Sequence, residues 1–246
     1  MTSKRFLIKN DQVNKYAFLY GDEHHHLSKV VRIKPKENVC LFDELGFEYI
    51  ATVEEIKKDY TKLSIIERIK KNSNKVEITL VQSVLKAKNM DLVIQKATEL
   101  GVSKIIPVEA QRSISKIGDE NEKKNKRWKR IASEASKQCG RVHIPEIFML
   151  STFERVIKNN DNSLKYFLSE KKGKYFKDIL MDPPDFDKKI PLFVLLVIGP
   201  EGGWTKEEEI FFRENGLEAV SLGNLILRSE TATISSVALI SHFWNV

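Results

Sequence analysis

The sequence predicts a mixed fold: a small β-barrel carrying one helix, followed by a larger α/β domain built on a parallel sheet. Three observations lead there. The first 70 or so residues read as short segments rich in Val, Ile, Phe and Tyr, the pattern of half-buried strands. From Val76 the rhythm changes to strand, helix, strand and stays so to the end. Late in the chain, Leu192–Ile198 is apolar throughout, as in a strand buried on both faces of a parallel sheet.

In the first part the strand segments are FLIKN, YAFLY, NVCLFDE, FEYIATVEEI and TKLSIIERI, with Asp43–Gly46 suited to a hairpin turn. One helix is expected between the second and third, capped by Asp22, running to about Arg32 and stopped by Pro35. Residues 70–75 (KKNSNK) hold no apolar side chain and read as the linker between a domain of residues 1–71 and one of residues 75–246. The second domain begins with the strand VEITLVQSVL, a helix from about Met90 to Gly101, and the strand KIIPV. A longer helix carries Trp128, Ile131, Ala132, Ala135 and Cys139 at helical spacing, with Gly140 just past its end. EIFML, a short helix, LKYFLSE, another helix and IPLFVLLVIG continue the alternation, and an apolar helix closes the chain.

Composition narrows the function. Charged residues make up 30% of the 246 and the apolar set 41%, a globular balance that excludes wholesale disorder. The longest apolar run is too short for a membrane span, and MTSKRFLIKND has no secretory apolar region, so a cytoplasmic protein is expected. Cys40 and Cys139, the two cysteines, exclude a disulfide framework and a four-cysteine zinc site; both read as inert core residues. The net charge of +7 points to a polyanionic partner, most simply nucleic acid. Much of it is concentrated: Lys116–Arg141 holds nine Lys or Arg against four Asp or Glu, with Trp128 either in the core or on the RNA-facing side. His24, His25 and His26 diverge along a helix without a ligand partner, so helix packing or RNA contact beside Lys29 and Arg32 is expected, and no metal.

Two runs could carry chemistry. In VIGPEGGWTKEEE a buried strand ends at Gly199, a glycine loop follows, and Thr205 with Glu208 forms a capping box. Such a loop lies beyond the carboxyl end of a strand, where open α/β sheets bind ligands. It matches neither the phosphate-binding Gly-Lys-Ser/Thr loop nor G-x-G-x-x-G. In SLGNLILRSETA, Ser229 and Glu230 either open the final helix or serve the site. Arg228, beside them, suits a phosphate, a carboxylate or a developing oxyanion.

Five blocks in order resemble the SPOUT-class ribosomal RNA uridine N3-methyltransferases (RsmE type): HHLSKVVRIKPKE, KAKNMDLVIQKATELGVSKIIPVEAQRS, RWKRIASEASKQCGRVHIPEI, IGPEGGWTKEE and LGNLILRSETA. The resemblance implies a PUA-like β-barrel for RNA, a C-terminal α/β SPOUT domain with a deep trefoil knot, and a homodimer. It implies S-adenosylmethionine held in the knot and N3 of a 16S ribosomal RNA uridine as target. The cofactor residues it implies are Ile198, Gly199, Pro200, Glu201, Gly202 and Gly203 in one loop. Leu222, Gly223, Ile226 and Leu227 belong to the next, with Leu168, Ser169 and Glu170 at a neighbouring strand end by position. Basic residues in the matching blocks are the RNA candidates: His25, Lys29 and Arg32, then Lys86, Lys88 and Arg112, then Arg127, Arg130 and Arg141. One departure stands out: the family usually has Arg two residues after the Leu-Gly pair, where this chain has Leu225.

Methylation at N3 requires loss of its proton and stabilisation of charge on the neighbouring carbonyl oxygens. Arg228 is the expected electrostatic group, and Glu201 is either the base or a structural carboxylate. The target base must be unpaired or splayed out, because N3 lies on the pairing edge. The alternatives are a non-catalytic ribosomal-RNA-binding assembly factor and a SPOUT methyltransferase acting on another RNA.

Overall fold

A computed structural model describes residues 4–9, 13–43, 45–70, 75–113, 120–160, 163–170, 173–181 and 191–244. The chain forms two compact units, Met1–Ser73 with Ser133–Ile144, and Asn74–Ala132 with Pro145–Val246. Residues 71–74 of the expected linker and Lys116 of the basic tract lie outside the described residues.

The first unit is a five-stranded sheet of β1 (Arg5–Leu7), β2 (Tyr16–Tyr20), β3 (Asn38–Phe42), β4 (Phe47–Ile56) and β5 (Tyr60–Lys70). The order is β1-β3-β4-β5-β2, with β1 parallel to β3 and the other pairs antiparallel. Among the described residues β1 and β2 are edges, so the expected barrel is an open, curled half-barrel. Alternation buries Phe6, Ala17, Leu19, Leu41, Val53 and Leu63 on one face. Asp43 fastens the β3–β4 turn: its carboxylate accepts from the Leu45 and Phe47 amides and, at 2.8 Å, from the Tyr49 hydroxyl.

Between β2 and β3 lie helix α1 (Gly21–His25) and a π-helical turn, His26–Val31, which ends in left-handed Arg32 at φ +57°. Asp22 is not the cap. Gly21, at φ +53°, turns the chain into the helix directly after β2, so the cap position falls on Tyr20 and Asp22 sits in the first turn. The three histidines diverge as expected. His24 is buried, its Nε2 donating to the Lys58 carbonyl and its Nδ1 paired with the Thr61 hydroxyl. His25 is exposed, and His26 lies edge-on to Phe6. Among the described residues no cluster could hold a metal, and no helix is long and apolar enough to cross a membrane.

The second unit contains β6 (Val76–Ser83), α2 (Ala87–Glu99), β7 (Lys104–Val108), the part of α3 (Asn121–Cys139) up to Ala132, β8 (Glu146–Ile147), α4 (Phe153–Lys158) and β9 (Leu164–Leu168). It continues with β10 (Lys174–Tyr175), α5 (Phe176–Met181), β11 (Leu192–Ile198), α6 (Lys206–Glu214), β12 (Glu218–Ser221) and α7 (Ser229–Trp244). The seven strands are parallel in the order β10-β12-β9-β11-β6-β7-β8. Helices α4 and α6 bury Val156, Ile157 and Phe212 against Val81, Phe167, Leu195 and Val197. Helix α7 packs on β6, β11, α2 and α5. Val194–Ile198 are fully buried, as a doubly covered strand requires.

Two further expectations change. Helix α2 starts at Ala87, three residues before Met90, because apolar periodicity marks the first buried residue, not the first helical one. Cys139 is exposed: it is the last residue of α3, beyond the buried Ala135, Ser136 and Lys137. Cys40 is only half-buried, its thiol 3.0 Å from Glu48 Oε1 beside the Arg5–Glu48 ion pair.

Candidate cofactor and methyl-transfer site

Strands β12, β9 and β11 are parallel neighbours, so their carboxyl ends open on one edge of the sheet. A cavity of about 270 Å³ lies there. Leu168, Ser169 and Glu170 line it from the end of β9. Ile198, Gly199, Pro200, Glu201, Gly202 and Gly203 line it from β11, followed by Trp204. The segment after β12 supplies Leu222, Gly223, Leu225, Ile226, Leu227 and Arg228. Every residue assigned to the cofactor or to catalysis from the sequence therefore faces one cavity.

The loop after β11 is held from several sides. The indole Nε1–H of Trp204 donates to the Leu168 carbonyl at 2.7 Å, tying this loop to the end of β9. A Cβ on Gly199 would stand 3.0 Å from the indole Cε2, a tight contact that would push the ring back by a few tenths of an ångström. Gly203, at φ +67°, turns the chain toward helix α6. There Thr205 and Glu208 form the expected capping box, and Glu208 Oε1 also accepts from the Gln111 amide at 2.8 Å. Glu207, in the same first turn, is held below the usual carboxylate range by its own backbone amide and the Thr205 hydroxyl.

The start of α7 is clamped to the same loop. Ser229 Oγ donates to the Gly199 carbonyl at 2.5 Å and accepts from Gln82 Nε2 at 3.1 Å. Thr233 Oγ1 donates to Gln82 Oε1 at 2.6 Å, so the end of β6 grips the first turn of the helix. Ser229 thus ties the loop after β11 to the end of β6 and is itself the first helical residue, while Glu230 lies buried in that first turn. Arg228 and Glu201 are both exposed at the cavity. The Arg228 side chain has no hydrogen bond or ion pair among the described residues, whereas Glu201 Oε1 lies 3.5 Å from the Lys86 amide, the limit of an interaction.

The basic candidates have different surroundings. In the first unit His25, Lys29 and Arg32 are exposed, but Arg141 is half-buried, and burial draws its guanidinium below the usual arginine range. In the second unit Lys86, Lys88 and Arg130 are exposed at helix surfaces, and Arg127 is engaged by Asp91 at 2.6 Å. Arg112, an RNA candidate from the sequence, lines the cavity and donates to the Trp204 carbonyl at 3.1 Å and, more weakly, to that of Gly202 at 3.4 Å. Sequence reasoning left Trp204, Gln82 and Arg112 without a role in the site. The run GPEGGW carried a signal for Trp204, since an aromatic beside paired glycines has room to pack on the backbone.

A glycine loop and an apolar segment meeting at the carboxyl edge of a parallel sheet define a small-molecule-binding α/β domain, here coupled to a separate β-sheet unit. Residues 72–241 match a family described as an RNA methyltransferase domain, and residues 19–66 match an RNA methyltransferase PUA domain. The chain is 30% identical over 230 residues to ribosomal RNA small subunit methyltransferase E of Bacillus subtilis, covering 90% of this chain and 88% of that one. It is 34% identical over 221 residues to ribosomal RNA small subunit methyltransferase E 2 of Borreliella burgdorferi, covering 87% and 86%. The structure of the Neisseria gonorrhoeae methyltransferase E bound to S-adenosylmethionine superposes with a TM-score of 0.86 at 29% identity, covering 98% of both chains. The chain belongs to the ribosomal RNA small subunit methyltransferase E family.

Proposed function

We propose that this protein transfers a methyl group from S-adenosylmethionine to N3 of a uridine in small-subunit (16S) ribosomal RNA. One observation carries the reading: three neighbouring strands deliver the Gly199–Gly203 loop and the Leu222–Arg228 segment to one cavity, in a chain of this family. The lining fits the cofactor chemically. Leu168, Ile198, Leu222, Ile226 and Leu227 offer apolar surface to an adenine ring. Backbone groups of Gly199, Pro200, Gly202, Gly203 and Gly223 suit its polar edges and the methionine part, and Ser169 and Glu170 offer acceptors for ribose hydroxyls. S-adenosylmethionine, when bound, supplies a methyl group already activated by its sulfonium, so the chemistry requires no metal.

The chain's own groups do the rest. Arg228, with its donors uncommitted, stabilises the negative charge that develops on the uracil carbonyl oxygens as N3 loses its proton. Glu201 is the proposed proton acceptor, solvated at the cavity rim. The apolar side chains of Leu225 and Ile226, about four-fifths exposed, are available to cover the splayed base or to meet a second copy of the chain.

The same reading assigns a PUA-like RNA-binding unit to residues 1–71, the methyltransferase unit to residues 75–246, and RNA contact to the basic residues named above. It places the reaction in the cytoplasm, on an assembled or late-assembly subunit. Homodimerisation is supported by Met181 and Phe243, exposed large apolar residues flanking the Trp244–Leu180 contact of α7 with α5. The trefoil knot belongs to the same reading and rests on the resemblance to the family; after β12, which lies outside β9, the chain returns to pack α7 on β6 and β11. Titration calorimetry with S-adenosylmethionine is expected to show one class of site. Absence of binding would favour the non-catalytic assembly factor.

A further inference from the structure

In the first unit, β2 divides its side chains cleanly. Ala17 and Leu19 enter the core, while Tyr16, Phe18 and Tyr20 project from the opposite face. Antiparallel pairing with β5 sets Phe18 opposite Lys62 and Tyr20 opposite Tyr60. The rings of Phe18, Tyr20 and Tyr60 therefore lie 5.9 to 6.4 Å apart, Phe18 and Tyr20 within 20° of parallel. Farther along the same face, the Lys62 ammonium stands 4.1 Å over the Tyr16 ring, with Lys15 at 5.9 Å. The core cluster contains none of these rings, and Tyr20 is 51% exposed. Two carboxylates of β4 are engaged, Glu54 by Lys62 at 3.4 Å and Glu55 by Lys57 at 2.5 Å.

Cross-strand aromatic pairs stabilise sheets, which alone would explain two touching rings. It does not explain a row of four aromatic side chains on a solvent face at a sheet edge, interleaved with ammonium groups. That combination is what single-stranded nucleic acid requires: ring faces on which bases stack irrespective of sequence, and cations for the phosphates between them. We propose that the outer face of β2 and β5, centred on Phe18, Tyr20 and Tyr60, is a stacking platform for unpaired bases of the substrate RNA, a proposal that rests on the RNA substrate proposed above.

The test uses the full-length chain and a fluorescent single-stranded oligouridylate, with an abasic strand of equal length as control. Wild type should bind the base-bearing strand more tightly than the abasic one. Tyr20→Ala with Tyr60→Ala should weaken binding to the base-bearing strand by at least about tenfold while barely changing the abasic strand. Tyr20→Phe with Tyr60→Phe should restore binding, because the ring faces and not the hydroxyls make the contact. Circular dichroism and S-adenosylmethionine calorimetry check folding, and should the double variant fail to fold, the exposed single change Tyr20→Ala serves instead, with about fivefold weakening expected. Folded variants that bind both strands like wild type would overturn the platform, including where the face proves to hold a protein instead. If wild type methylates ribosomal RNA in that case, the enzymatic reading stands and only the platform falls. If wild type neither binds nor methylates RNA, both fall together.

Discussion

Replacing Trp204 with Phe tests whether the cavity walls are held together as described. The indole donates at 2.7 Å to the Leu168 carbonyl and packs edge-on to Phe212 and Phe153, with ring centres at 4.9 and 5.8 Å, and it is 5% exposed. Phenylalanine keeps the aromatic packing but removes the donor. An acceptor left unpaired in a buried setting costs about 1–3 kcal/mol. The smaller ring leaves roughly 40 Å³ unfilled, a further cost of about 1 kcal/mol if the site does not collapse. The sum is about 2–4 kcal/mol, to be read from the urea midpoint followed by circular dichroism. Because the bond joins the loop after β11 to the end of β9, cofactor affinity measured by calorimetry should fall as well. A variant with wild-type midpoint and wild-type affinity would refute the claim that Trp204 ties these two walls.

Other substitutions separate chemistry from architecture. Arg228→Ala should lower methyl transfer by about 100-fold or more while S-adenosylmethionine still binds, as expected for a group stabilising transition-state charge; single-turnover kinetics would show it. Thr205→Ala removes half of the capping box and should destabilise the protein by about 1 kcal/mol in urea unfolding. Tyr49 and Tyr166 are each pushed up to about 12, chiefly by burial, with Asp43 adding to the first and Glu218 to the second. The unfolded chain gives up these protons near pH 10, before the folded one does, so stability should be unaffected by them below pH 10 and fall between pH 10 and 12. Ultraviolet titration of the six tyrosines should show a fraction ionising only in the upper part of that range.

Much of the site was legible because its signals are local. Glycines at a strand end, the Thr205–Glu208 pair and the apolar run Leu192–Ile198 each fix a conformation within a few residues, and all three appear in the structure. The resemblance then supplied which loops should meet. What was not legible depends on long-range closure. Nothing near Gln82 reveals that its amide bridges Ser229 and Thr233, because the partners lie about 150 positions away and are brought together only by the strand order. Arg112 reads as one more basic residue until the sheet sets it against the Trp204 carbonyl. The ends of elements misled for simpler reasons: at α2 and Cys139 hydrophobic spacing reports burial, which begins and ends at other residues than helicity, and at Asp22 the turn made by Gly21 moved the cap position back to Tyr20.

The most direct measurement incubates the purified protein and S-adenosylmethionine with small ribosomal subunits from a strain lacking the corresponding gene, then quantifies modified nucleosides by mass spectrometry. N3-methyluridine should appear at one 16S position and be absent with the Arg228→Ala variant. A product methylated on another atom or another RNA, or no methyl transfer by a protein that binds the cofactor, would contradict the proposed function.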